Sequence, residues 1–233
     1  MKKILVATCL GLIYFLSSGQ ESQWKLNGEL FVYSTHMWRG TGYGDTPSVE
    51  PSLTFSKGKF SINFWAAKTF DDTYTEIDII PSFTFGNYQI TIFDYYNPKP
   101  GTDNNYFDFE DGESCHSAEL AISKNATKRL PVRLLLTSFF FGDKNPETGK
   151  AFFSTYAEAS VPFSIKNINI EPAVGITPYK GYYADKFSII NTSLTIKRDI
   201  SITSNMSLPL KLLMVYNPTQ EESYLSLGTG ISF

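Results

Sequence analysis

The 233-residue chain is poor in the groups that most chemistry needs: it has two cysteines, Cys9 and Cys115, and two histidines, His36 and His116. Cys9 lies in an N-terminal apolar run. Cys115 is therefore left alone, and a lone thiol forms neither an internal disulfide nor a metal cluster. No metal-ligand spacing, phosphate loop or nucleotide fingerprint occurs, so no metal and no cofactor is expected. With 20 basic and 23 acidic residues, formal charge −3, the chain lacks the basic stripe that nucleic acid demands. Past residue 16 no run of eighteen apolar residues occurs, which excludes a membrane-spanning helix. No segment of useful length keeps the i, i+3, i+4, i+7 spacing, which excludes a helix bundle.

The N-terminus reads as an address. Met1-Lys2-Lys3 precedes an apolar run over residues 4–16, then Ser17-Ser18-Gly19-Gln20. A charged start, a run too short to span a bilayer and small residues after it predict a secretory signal peptide over 1–19, cut after Gly19. Taking Cys9 instead as a lipoprotein cysteine leaves only eight residues before it, and the apolar run continues beyond it. Loss of Lys2 and Lys3 takes the charge from −3 to −5, and residues 20–233 are expected to form one all-β domain.

What is abundant is alternation. About twelve period-2 runs rich in Phe, Tyr, Ile, Val and Thr begin near Trp24, Pro47, Phe60, Thr75, Tyr88, Ser114, Pro131, Ala151, Ile168, Asp185, Ile200 and Glu222. Each has the length of a tilted membrane-crossing strand. Connections after the even runs are short (57–59, 86–87, 164–167, 197–199), and those after the odd runs are mostly longer and polar (39–46, 97–113, 142–150, 178–184). Exceptions are the short 71–74 and 217–221 and the long 125–130. An even strand count with short turns at one end and long loops at the other predicts a transmembrane antiparallel β-barrel of about twelve strands, with short periplasmic turns and longer extracellular loops.

Within the runs the faces separate. Ile77, Ile79, Pro81, Phe83 and Phe85 oppose Glu76, Asp78, Ser82 and Thr84, and Leu225, Leu227, Ile231 and Phe233 oppose Ser226, Gly228, Gly230 and Ser232. A soluble β-sandwich also alternates. However, the polar face here is Ser, Thr, Asn and Gly with isolated acids rather than a Lys-rich coat, and aromatic residues collect at run ends as in an interfacial girdle. Alternation is worst in the runs from Tyr88 and Asp185, where Phe93 and Tyr95 on the polar parity mark either a stacking platform or a shifted register.

The stretch VEPSLTF at 49–55 and its near copy IEPAVGI at 170–176 place Glu50 and Glu171 on the polar parity, each followed by a proline. Proline cannot donate to the sheet ladder and belongs at edges or bulges. A bulge that re-aims each carboxylate is one expectation; a proline where the ladder is weak near a strand end is the other.

Inward parity collects Glu29, Glu50, Glu76, Asp78, Glu119, Glu158 and Glu171 against Arg133 and Lys211. An acidic wall of low dielectric favours cations, so these nine are the candidate lumen and selectivity residues. The same acids could instead pair internally and fill a narrow lumen. The function expected is a porin-like outer-membrane channel for passive diffusion of small polar solutes with a weak cation preference. Alternatives are a non-conducting structural or ligand-binding barrel, whose acidic aromatic loop over 97–114 folds inward or binds a ligand, and, lower, a lipid-modifying barrel enzyme. That enzyme would need Ser, His and an acid together, yet His116 and Ser117, as neighbours on a strand, point to opposite faces; no catalytic residue is assigned. Trp38 and Arg39 read as girdle and loop anchors.

The stretch YSTHMWRG at 33–40, a Gly/Asp loop, VEPSLTF, FSINFWAAKTF and TEIDIIPSFTFGNYQITIFDYYNP together resemble the start of the TorF-like porin family, bacterial outer-membrane barrels of ill-defined function. The resemblance covers about the first third of the mature chain. It implies a small porin-like channel in the outer membrane, embedded in outer-membrane lipid, and it carries no catalytic or binding residue to transfer. Phe233 resembles the terminal aromatic signal that bacterial barrels present to the barrel assembly machinery.

Overall fold

A computed structural model describes residues 23–44, 46–110 and 114–233; the expected signal peptide lies outside the described residues. The strands are β1 (Lys25–Tyr33), β2 (His36–Trp38), β3 (Thr41–Tyr43), β4 (Ser48–Lys57), β5 (Phe60–Thr69), β6 (Thr75–Phe85), β7 (Tyr88–Tyr96), β8 (His116–Lys124), β9 (Arg133–Phe141), β10 (Thr155–Ser160), β11 (Phe163–Ile165), β12 (Ile168–Thr177), β13 (Ser188–Ser201), β14 (Ser207–Asn217) and β15 (Glu222–Ser232). All but β2 and β3 form one antiparallel sheet of sequential neighbours, which closes where β1 pairs with β15. β10 and β11 both pair with β12 and are one stave interrupted at Val161-Pro162. The result is a closed barrel of twelve staves, in which the short β11 is paired on one side only.

Parity sets the two faces. Leu225 and Leu227 are 59% and 57% exposed while Ser226 between them is 1% exposed. That inversion of a soluble protein, greasy outside and polar inside, recurs at Leu30, Leu53, Ile77, Ile90, Leu120, Leu136 and Met214 on the outer face. Aromatic residues mark the ends: Phe85 and Tyr88 stack at 5.7 Å beside the Gly86-Asn87 turn. Phe233 closes the cylinder by exchanging both backbone hydrogen bonds with Gly28 at 2.9 Å. Its ring covers Gly28, where an added Cβ would lie 2.3 Å from the ring, so an aromatic side chain shields backbone that glycine leaves bare.

The prolines create no bulge. Val49 pairs with Lys68 and Ser52 with Trp65, so the register is unchanged across Glu50 and Pro51, and only the ladder toward β5 is skipped there. Pro172 keeps its pairing with Leu194 and faces the Val161-Pro162 break on its other side. Each missing N–H is thus absorbed as a local gap in one ladder. The register shifts occur elsewhere, between Ala118 and Glu119 and between Gly175 and Ile176.

One predicted turn is displaced. Residues 197–199 are not a turn, and Ile200 starts no strand: β13 runs through both, and the chain reverses at 202–206, where the Ile202 and Thr203 N–H groups donate to the Met206 carbonyl at 2.9 and 3.1 Å. Lys197-Arg198-Asp199 imitates a turn in composition, but Lys197 and Asp199 share the luminal face and pair at 3.3 Å.

Candidate functional site: a hairpin across the lumen and the cavities beside it

Residues 34–47, between β1 and β4, contain the small hairpin β2–β3, with Trp38 opposite Thr41. The two residues between them, Arg39 (φ 47°) and Gly40 (φ 88°), are both left-handed, as a two-residue hairpin turn with two positive φ angles requires. The hairpin folds into the barrel. At its base the Ser226 hydroxyl donates to the Thr35 carbonyl at 2.7 Å. At its tip a Cβ on Gly40 would stand 1.9 Å from the Ile190 carbonyl on β13, so only glycine fits this approach.

Arg39 binds the far wall. Its guanidinium donates to both carboxylate oxygens of Glu119 on β8 at 2.7 and 2.6 Å, and to the Tyr183 hydroxyl. It lies 4.6 Å from the Trp38 ring centroid and 4.9 Å from that of Tyr156 on β10. In a ring of twelve staves β9 is the one opposite β1, and β8 and β10 flank it. The hairpin therefore crosses the full lumen. Glu119 is completely buried and also accepts from the Tyr95 hydroxyl at 3.0 Å. A bidentate pair between desolvated groups has a fixed geometry, and losing either partner strands a buried charge.

On the near wall, His36 Nδ1 lies 2.9 Å from Glu50, which accepts from Ser48 at 2.8 Å. The His36 ring packs among Tyr74, Trp65 and Tyr43 at 5.1 to 5.9 Å.

All nine candidate residues lie on the luminal parity, but they are dispersed and mostly engaged. Glu50 and Glu119 are held by His36 and Arg39 of the hairpin, Glu76 by the Tyr74 hydroxyl and Glu158 by Tyr156 and by Asn191 at 3.1 Å. Glu171 pairs with Arg133 and accepts from Ser160, both at 2.6 Å. Lys211 lies over the Tyr33 ring at 5.3 Å, and Glu29 opens onto the short-turn end. Asp78 is buried, and its Oδ1 has no partner among the described residues. They form no continuous ring of carboxylates. Phe93 and Tyr95 do form a luminal stack, at 5.5 Å and 3°.

Trp38 and Arg39 are luminal rather than girdle and loop anchors. An aromatic-rich HMW–RG–TGY segment around a two-residue turn is itself a hairpin signal, although nothing local tells which way it folds. Tyr182 and Tyr183, from residues 178–187, could not be found from the sequence.

One cavity adjoins the hairpin and a second lies at the opposite end of the barrel. At the long-loop end a space of about 440 Å³ is lined by Trp38, Tyr43, Tyr74, Tyr95, Phe139 and Tyr182, with Glu76, Asn97, Ser117, Asp143 and Lys144. At the short-turn end a space of about 590 Å³ is lined chiefly by hydroxyls and amides, among them Asn27, Ser52, Thr54, Ser201, Asn205 and Ser232.

The loop over 97–114, of which 111–113 lie outside the described residues, folds onto the outer face instead of into the lumen. There His116 faces Asp94 at 2.8 Å through Nδ1 and the Tyr106 carbonyl at 2.7 Å through Nε2, with Phe109 stacked on its ring at 4.4 Å. Ser117, its neighbour, faces the lumen, so the two do not meet.

The chain matches no family model and no curated protein. Among solved structures it is similar to a KdgM porin, at TM-score 0.50 and 9% identity over 89% of this chain and 98% of that one. It is also similar to an outer membrane channel from Pseudomonas putida F1, at TM-score 0.47 and 10% identity over 92% and 96%. At 9% identity the likeness to the KdgM porin is one of fold: a closed antiparallel β-barrel of the outer-membrane type.

Proposed function

We propose that this protein is a porin-like channel of the bacterial outer membrane for passive diffusion of small polar solutes, with a weak cation preference, related to the TorF-like porins. The observation that carries the reading is a closed barrel with a polar lumen, opened by a cavity at each end and narrowed between them by one hairpin. A barrel serving only as a membrane anchor has no use for an aromatic-lined cavity at one end and a polar one at the other.

The sign of the preference follows from pairing. Among the described residues Glu29, Glu76 and Glu158 have no basic partner within ion-pair distance, whereas of the candidate bases only Lys211 lacks an acid. An excess of negative charge in a low-dielectric wall favours cations. Outer-membrane lipid surrounds the apolar face, and Phe233 presents the C-terminal strand to the assembly machinery.

The test is conductance and reversal potential of the refolded protein in a planar bilayer under a salt gradient. Discrete steps with a cation-selective potential, reduced by Glu76→Gln with Asp78→Asn, are expected; a folded barrel that stays silent even with the hairpin released would overturn the channel. The second reading, a non-conducting ligand-binding barrel, is favoured by one observation, the hairpin's full crossing of the lumen, and silence would select it.

A further inference from the structure

We propose that the cavity at the long-loop end is a binding site for an organic cation, an alkylammonium or guanidinium group. The proposal rests on the channel reading in that it names the solute class, but its test reads binding, which needs no conduction.

The first observation is ring geometry. Trp38 meets Tyr43 at 66°, Tyr95 at 78° and Tyr182 at 71°, with centroids 5.9 to 6.2 Å apart. These edge-to-face contacts gather four rings that all line the cavity, whereas a flat sugar ring is matched by a parallel platform. Each ring face carries the negative end of a quadrupole, and several faces turned toward one space attract a cation with a weakly held hydration shell.

The second observation is that this cluster already holds such a group. The Arg39 guanidinium lies against Trp38 and Tyr156, and 5.8 Å from Tyr183. Trp38, which lines the cavity, thus already holds a guanidinium through its ring.

Charge supplies the third. Glu76 lines the cavity and has no basic partner within ion-pair distance among the described residues. Asp143 and Lys144 in the lining oppose each other in sign. An anionic solute meets the wrong charge here. Calcium or magnesium meets too few oxygens, for each needs six or more ligands, and no metal-ligating cluster exists among the described residues.

The experiment is calorimetric titration of the folded full-length protein in detergent with tetramethylammonium and with methylguanidinium, using glucose and potassium chloride as comparisons. Saturable binding of the two organic cations is expected, with little or no heat from the others. Tyr182→Leu and the near-isosteric Glu76→Gln should each weaken it about fivefold, the loss of one cation–π face or one facing charge, while the heat-modifiable gel mobility of the folded barrel is retained. Glucose binding more tightly than the cations, or cation binding unmoved by both substitutions, overturns the proposal. A protein that conducts without binding loses this site and keeps the channel; one that binds and stays silent keeps the site and loses the channel.

Discussion

Arg39→Met tests whether the hairpin is the constriction. The substitution keeps an unbranched apolar stem beside the Trp38 ring, and deletes two hydrogen bonds of 2.6 and 2.7 Å to Glu119. Glu119 has no exposure, so its carboxylate would be left buried with only tyrosine hydroxyls. Removing one partner of a buried pair costs about 3–5 kcal/mol. The barrel ladder is untouched, so the cost falls on the seated hairpin. At 1.4 kcal/mol per tenfold, seating is weakened by roughly two to three and a half orders of magnitude. Single-channel recording at fixed voltage should show the open fraction rising steeply in Arg39→Met. In Arg39→Met with Glu119→Gln the open fraction should fall part of the way back, because a neutral amide tolerates burial and still accepts from Tyr95. A folded Arg39→Met barrel with wild-type conductance and open fraction would show that the hairpin is not the constriction.

Three further outcomes are expected. Gly40→Ala, which puts a methyl against the Ile190 carbonyl at a φ of 88°, should unseat the hairpin like Arg39→Met; its signature is new protease cleavage within 36–43 in an otherwise resistant barrel, and unchanged resistance would refute the tight approach. Asp71, exposed in the β5–β6 turn, accepts from the Thr73 hydroxyl at 2.8 Å and the Thr73 N–H at 3.2 Å, and chiefly that hydroxyl holds its carboxyl down to about 2. Since the folded value is depressed, the turn's stabilisation is present above about pH 4 and is lost as pH falls through 2; Thr73→Val should move the carboxyl ¹³C midpoint upward, and an unmoved midpoint would exclude the hydroxyl as cause. His116→Leu removes the group that ties Asp94 to the 97–114 loop and should make that loop the first site of proteolytic nicking, with conductance unchanged because both groups lie outside the lumen.

Much of this protein is a local property of its chain. Parity depends only on whether two residues are an odd or even number apart, so Glu50, Glu76 and Asp78 were legible as luminal, and Leu225 and Leu227 as outward, without any knowledge of their neighbours. Strand number and the alternation of short and long connections follow from the same pattern. It failed where composition imitates a different element, as at Lys197-Arg198-Asp199, whose charges sit within β13 because the luminal face accepts them.

The site itself is a tertiary result. Residues 34–47 encode a hairpin, but whether it stands out in water or lies across the lumen depends on groups 80 and 144 positions away, Glu119 and Tyr183, that receive Arg39. The 97–114 loop shows the converse: acidic and aromatic like a lumen constriction, it lies outside because His116 and Asp94, on the outward parity, need cover. A barrel, its greasy exterior and the side on which each acid lies are written in the alternation alone, since period-2 geometry is read residue by residue. That most of those acids are partnered rather than gathered in a ring is a property of the closed cylinder, because pairing requires walls that are far apart in the chain to face each other across a few ångströms.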